Sequence, residues 1–239
     1  MRESIFKFKQ FQVKNHLSAM KVGTDGVLVG AWSPLKETDN LILDIGAGCG
    51  LISLMMAQRS ETAFIVGVEI NQEAAQEAQD NIKNSIWAER IVIVNKSIED
   101  FAKDTDYRFD KIVSNPPFYI ENILSPNEKR SMARSTTSLS FNLLFEVASK
   151  LLTPAGEFSL ITPASSKDNI LNIASDNHLY PENITTVHPT TESDAKRILW
   201  NFSKDDTCSC QFYDLTIEKE RHIYTNQYIA LTKDFYLKM

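Results

Sequence analysis

The sequence predicts an α/β fold, a mostly parallel seven-stranded sheet flanked by helices. From residue 41 onward, short apolar runs alternate with segments of helical period. A glycine-rich stretch, DIGAGCG, sits where the first run meets the first such segment, and a double proline, in SNPPFY, closes the fourth run. Both are features of βαβ units, whose strand ends carry ligands and chemistry.

In order, LILDI (41–45), FIVGVEI (64–70), IVIV (91–94), DKIVS (110–114) and EFSLIT (157–162) read as buried strands. Helical segments at 50–59, 72–85 and 141–152 lie between them, with Asn71 placed to cap the second. Pro154-Ala155-Gly156 predicts a break before the fifth strand. Beyond residue 163, NITTVHP and RILWNF read as two more strands joined by the polar loop TTESDAK. FYDLTIEK adds one further strand, followed by a short helix from Asn226. Residues 1–40 read as an N-terminal extension in which MKVGTDGVLVGAW makes a turn and a short helix, and residues 41–239 as one domain.

At 239 residues, 43% hydrophobic and 23% charged, the chain can bury a core, and eight Gly with eight Pro leave no room for a long low-complexity linker. The longest apolar stretch is interrupted by Asp44 and glycines, and MRESIFKFKQ has no apolar centre. Neither a membrane span nor a signal peptide is expected, and the expected compartment is the cytoplasm. Cys49, Cys208 and Cys210 lack metal-ligand spacing, so no metal is expected. His16, His178, His188 and His222 form no useful spacing, and a monomer is favoured. The net charge of −6 is unevenly spread: Arg2, Lys7, Lys9, Lys14 and Lys21 face Glu3 alone within residues 1–21, a net +4, which leaves −10 on the remainder. A basic arm carrying Lys7, Lys9 and Lys14 on an acidic body can follow a phosphate backbone.

LDIGAGCG puts Asp44, Gly46, Gly48 and Gly50 at a strand end and a helix start. Glycines let the chain turn sharply and let a ligand lie on the main chain. A dinucleotide fingerprint needs a third glycine where this chain has Leu51, and its helix start holds a pyrophosphate that Asp44 would repel. Glu69 closes the second strand, 19 residues after Gly50, where a carboxylate can accept both ribose hydroxyls. S-adenosylmethionine, with ribose, ammonium, carboxylate and sulfonium but no phosphate, fits this set best.

SNPPFY has its own chemistry. An exocyclic amine delocalises its lone pair into the ring and attacks poorly. If its two N–H groups donate to the Asn115 side-chain oxygen and the Pro116 carbonyl, the nitrogen can pyramidalise. Pro116 and Pro117 stiffen the corner, so the acceptors are preorganised, and Phe118 offers a face worth about 1–3 kcal/mol of base stacking.

With DIGAGCG, VEI and NPPF in this order, the chain resembles the Rossmann-like class I S-adenosylmethionine-dependent methyltransferases of the amino-methylating N-P-P-[FY] group. FKFKQFQV, AMKVGTDGVLVGAW, NSIWAERI and YIALTKDFYLKM extend the resemblance over nearly the whole chain, to the bacterial tRNA methyltransferases that modify N6 of adenine 37 of a valine tRNA. The resemblance implies a methyltransferase domain at 41–239 and an N-terminal extension with a cofactor lid at 1–40. It puts Lys21, Thr24 and Asp25 over the methionine end of the cofactor, with Thr24 on its carboxylate. Asp44 and the glycines then hold the amino-acid part, Glu69 the ribose, and Ser97 and Ile98 flank the adenine, Ser97 standing where relatives commonly have Asp. Lys129, Arg130 and Arg134 lie in a polar loop, 121–135, that can gate substrate. The N-P-P-F corner alone leaves guanine-N2 methylation of rRNA and glutamine methylation of protein open, as well as a cofactor-binding regulator without turnover.

Overall fold

The computed structural model describes residues 5–18, 21–117 and 139–238. The chain opens with an antiparallel hairpin, β1 (Ile5–Lys7) on β2 (Gln12–Lys14), registered Ile5 to Lys14. Helix α1 (Thr24–Trp32) follows, and its residues from Gly26 to Ala31 are all buried, as expected of a helix apolar all round. Then come β3 (Leu41–Ile45), α2 (Leu51–Arg59), β4 (Phe64–Glu69), α3 (Gln72–Lys83), β5 (Ile91–Asn95), α4 (Ile98–Asp104) and β6 (Phe109–Ser114). Asn71 caps α3 through Ala74 N–H, as its position in sequence suggests. The rest of the chain gives α5 (Phe141–Leu151), β7 (Leu152–Pro163), α6 (Lys167–Asp176), β8 (Tyr180–Thr190), β9 (Arg197–Ser203), β10 (Gln211–Glu220), β11 (Ile223–Tyr224) and α7 (Asn226–Thr232).

One sheet carries nine of these strands in the order β11-β10-β8-β9-β7-β6-β3-β4-β5. β9 is antiparallel to β7 and β8, β11 is antiparallel to β10, and the other neighbours are parallel. The expected seven-stranded sheet is thus widened by β10, which pairs in parallel with β8, and by β11. A two-residue strand such as β11 is too short for any apolar period to announce it.

Side chains of β3 alternate between two cores. Ile42 packs with α1, α2, α3, α7 and the hairpin aromatics, while Leu43 and Ile45 pack with α4, α5 and α6. Helices therefore cover both faces, which is why the central strands read as continuous apolar runs.

The expected break at Pro154-Ala155-Gly156 is a bulge inside β7. Phe109 pairs with Leu152 and Lys111 with Glu157, so four residues on one strand oppose one on the other. A Cβ at Gly156 would sit 2.8 Å from the Phe109 carbonyl oxygen, which is the reason for glycine there.

From β3 the chain winds outward through β4 and β5, then returns to place β6 and β7 on the other side of β3. The order reverses between β3 and β6, and a crevice opens beyond their carboxyl ends.

Candidate active site

β3 and β6 are registered Ile45 to Ser114, and the Ser114 hydroxyl donates to the Ile45 carbonyl at 2.8 Å. The next residues, Gly46 and Asn115, therefore leave the sheet side by side. Gly46, Gly48 and Gly50 have φ of 75°, 55° and 82°, in the left-handed region that favours glycine. Apart from its chain neighbours, no atom of the described residues lies within 4 Å of a Cβ built at Gly46, so there is room over this main chain. The turn is pinned from below: Gly46 and Ala47 donate to the Val68 carbonyl at 2.9 and 3.1 Å.

Two acids face this turn. Asp44 is fully buried; its Oδ2 accepts the Ser53 N–H at 3.0 Å and the Ser53 hydroxyl at 2.6 Å, while its Oδ1 is buried without a partner among the described residues. Burial pushes the Asp44 carboxyl up to about 7, Ser53 opposing and the Glu69 charge adding to the rise. Glu69 closes β4, and its two oxygens accept the Gly48 N–H at 2.9 Å and the Asn71 N–H at 2.8 Å. Each oxygen keeps a second acceptor site. Open space over a glycine turn, a buried acid with a spare lone pair and a second acid at the strand end fit S-adenosylmethionine, whose ammonium Asp44 could hold and whose ribose Glu69 could hold.

Asn115 Oδ1 is likewise buried with no partner among the described residues, and its Nδ2 lies 3.7 Å from where a Cβ would stand on Gly26 of α1. Pro116 is buried and Pro117 half-buried behind it. An unpaired buried carbonyl oxygen costs about 1–3 kcal/mol, which a ligand N–H would recover.

Other expected residues are spread more widely. The Lys21 ammonium donates to the Asn15 and His16 carbonyls at 2.6 and 2.9 Å, fastening the chain between hairpin and α1. Asp25 accepts from Arg197 Nε at 2.8 Å, and Thr24 borders an aromatic recess. Ser97 caps α4, its hydroxyl accepting the Asp100 N–H at 3.1 Å and donating to the Asp100 carboxylate at 2.8 Å; Ile98 is buried beside it. Lys7 and Lys9 are exposed on the hairpin and Lys14 is half-buried. Phe118, Lys129, Arg130 and Arg134 lie outside the described residues.

Sequence reasoning missed Glu77 and Asn81. Glu77 Oε1 accepts the His16 and Leu17 N–H groups, and its Oε2 accepts the Ser18 N–H and hydroxyl. Burial would raise its pKa, but these donations outweigh burial and hold the carboxyl below its ordinary value. Asn81 donates to both the Lys14 and Cys49 carbonyls, at 2.8 and 2.9 Å, and so ties the N-terminal segment to the glycine turn. The signal was present: two polar residues at i, i+4 on the buried face that also carries Ala74, Ala78 and Ile82.

Among the described residues no helix is long and apolar enough to cross a membrane, and no group of three or more His, Cys, Asp or Glu could hold a metal.

The Methyltransferase small domain family matches residues 27–172. The tRNA1(Val) (adenine(37)-N6)-methyltransferase of Flavobacterium psychrophilum is 45% identical over 235 residues, 98% of this chain and 100% of the relative. The protein of the same name from Phocaeicola vulgatus is 45% identical over 239 residues, 100% of both chains. The crystal structure of a predicted O-methyltransferase, protein Atu636 from Agrobacterium tumefaciens, shares the fold with a TM-score of 0.70 at 22% identity, covering 88% of this chain and 96% of that one. Similarity that runs from end to end at this level settles the kinship: the chain belongs to the tRNA1(Val) (adenine(37)-N6)-methyltransferase family, within the Methyltransferase small domain proteins.

Proposed function

We propose that the protein transfers a methyl group from S-adenosylmethionine to the exocyclic N6 of adenine 37 in a valine tRNA. The observation that carries this reading is the buried Asn115 Oδ1, without a partner among the described residues, at the carboxyl end of β6, one residue beyond the Ser114–Ile45 pair that sets it beside the glycine turn. The full-length relatives with this activity in their names support the choice of base and nucleic acid.

When bound, the cofactor supplies a methyl group carried on positive sulfur. The chain's residues do the rest. Asp44 and the glycine turn hold the amino-acid end, and Glu69 the ribose. Asn115 Oδ1 and the Pro116 carbonyl accept the two N–H bonds of the amine and draw its lone pair out of conjugation. Phe118 stacks on the base, and Ser97 and Ile98 border the cofactor ring. The methylated amine gives its proton to water, so the corner needs no titrating side chain. Lys21, Thr24 and Asp25, with residues 1–40 as a whole, close the crevice from the side of α1. Lys7, Lys9, Lys14, Lys129, Arg130 and Arg134 meet phosphates.

The test is a nucleoside digest of tRNA after incubation with labelled cofactor. Labelled N6-methyladenosine from valine tRNA is the expected product. Label in N2-methylguanosine of rRNA, in polypeptide, or in nothing would overturn the reading.

A further inference from the structure

Beside the crevice, at the same edge of the sheet, lies an open recess of about 540 Å³. Phe6 of β1, Tyr224 of β11 and Tyr236 after α7 supply its aromatic wall, all three half-buried, and Lys7 and Lys238 stand exposed at its rim. Its position follows from topology. β10 runs parallel to β8, and both run in the direction of β6, so Ile217 and Glu218 of β10 border the recess at the edge that also carries Asn115. Thr24 borders it from the first turn of α1, two residues before Gly26, whose Cβ position lies 3.7 Å from Asn115 Nδ2.

The wall is rigid. Tyr224 and Tyr228 rings are 5.2 Å apart, Phe6 meets Tyr236 edge-on at 6.2 Å, and Phe8 bridges to Tyr236 through backbone pairing. Tyr228 is buried; desolvation, together with its hydroxyl bond to Tyr236, pushes its phenol far above the ordinary tyrosine value, so it is neutral. Half-open aromatic faces with ammonium groups at the rim suit a flat aromatic ring attached to an anion. Glu218 can read the edge of such a ring by hydrogen bonds. An apolar peptide would use the rings but have no use for the lysines, and a free phosphate the reverse.

We infer that this recess binds a second, unstacked nucleotide of the tRNA substrate: its base stacks on Phe6, Tyr224 and Tyr236, and its phosphates meet Lys7 and Lys238. The inference rests on the tRNA reading above and adds to it a site separate from the one that takes the methylated base. It gives the N-terminal segment and the turn after the C-terminal helix, which pair through Phe8 and Tyr236, a common purpose: they build a reader of the loop around the target.

The experiment uses valine tRNA anticodon stem-loops with 2-aminopurine placed singly at each unpaired position other than the target. One position should be quenched on binding wild type and regain its fluorescence with Tyr224→Ala. The same variant should raise KM for tRNA about tenfold, the loss expected of one base stack, with cofactor affinity intact and Tyr224→Phe behaving as wild type. Lys238→Glu, at an exposed position that folding does not need, should weaken tRNA binding in the same direction. Absence of any responding position, or unchanged KM in both Tyr224→Ala and Lys238→Glu, overturns the inference. If wild type methylates the tRNA and the variants leave KM untouched, only the recess falls; if wild type yields no N6-methyladenosine, the functional reading falls with it.

Discussion

Glu69 and Gly48 are joined by a 2.9 Å hydrogen bond from the glycine N–H to the carboxylate, so the residue at the end of β4 also shapes the turn at the end of β3. One side chain thus acts on both halves of the cofactor crevice. Glu69→Ala should weaken S-adenosylmethionine binding by about 10- to 100-fold, as expected for losing a charged hydrogen-bond acceptor. Calorimetric titration measures this, and wild-type affinity in the variant removes Glu69 from the site.

Asn115 has a different signature. Its oxygen has no partner among the described residues, and the proposed mechanism gives it to the reacting amine. Asn115→Ala should slow single-turnover methyl transfer by about 10²-fold or more while cofactor affinity stays at the wild-type level. A protein that only binds cofactor and RNA would lose nothing in this variant.

Much of this was legible in the sequence because each element had a physical marker. LILDI is apolar but for Asp44, as a strand covered on both faces must be, and three glycines in DIGAGCG announce a turn that only positive φ can make. What escaped notice depends on contacts across the chain. Glu77 and Asn81 look like ordinary polar positions of an amphipathic helix until residues 14–18 are laid against them. The resemblance makes Ser97 an adenine contact, yet a serine three residues before Asp100 is also a helix cap, and its hydroxyl is engaged there. Pro154-Ala155-Gly156 carries the same composition whether it ends a strand or bulges inside one; the pairing of Leu152 with Phe109 decides.

The proposed contact of Asp44 with the cofactor ammonium predicts pH-dependent binding. Its carboxyl is raised to about 7 by burial, so the stability tied to its protonated form is complete below the unfolded carboxylate value and is lost as pH rises through about 7. An ammonium against Oδ1 favours the ionised form instead. Binding at about pH 6 should therefore release a proton, and release should fade by about pH 8, where Asp44 is already ionised. Calorimetry in two buffers of different ionisation enthalpy reads the proton count. Equal apparent enthalpies at about pH 6 would detach Asp44 from the ammonium.

The hairpin lysines test the proposed grip on the phosphate backbone. Lys7 and Lys9 are exposed on the segment that also builds the aromatic recess. Reversing Lys7, Lys9 and Lys14 to Glu should weaken tRNA binding and flatten its dependence on salt by roughly one unit of slope for each phosphate no longer neutralised. Filter binding across a salt series measures it, and a slope equal to that of wild type would place the phosphate-binding surface elsewhere.

Far from the crevice, Lys111 lies fully buried toward the amino end of β6, its ammonium 3.2 Å from Glu157 Oε2 and 2.7 Å from Asn201 Oδ1. Burial lowers its pKa to about 8, with the Glu157 charge opposing. The native protein therefore gives up this proton before the unfolded chain does, and the penalty of the buried ammonium lifts as pH rises from about 8 toward the ordinary lysine value. The pair is asymmetric. Glu157 also binds Lys36 at 2.5 Å and accepts from Asn201 at 2.8 Å, so it keeps two partners when Lys111 is removed. Lys111 without Glu157 keeps, among the described residues, the Asn201 oxygen as a neutral acceptor and the weaker attraction of Asp39. Glu157→Gln should cost about 3 kcal/mol at neutral pH, as a buried charge robbed of its counterion does, and Lys111→Met distinctly less. Urea denaturation gives both values, and methyl-transfer rates should match wild type wherever the variants are folded. Equal destabilisation by the two substitutions would mean that Lys36 and Asn201 do not compensate Glu157, and the cluster would then be a single ion pair with bystanders.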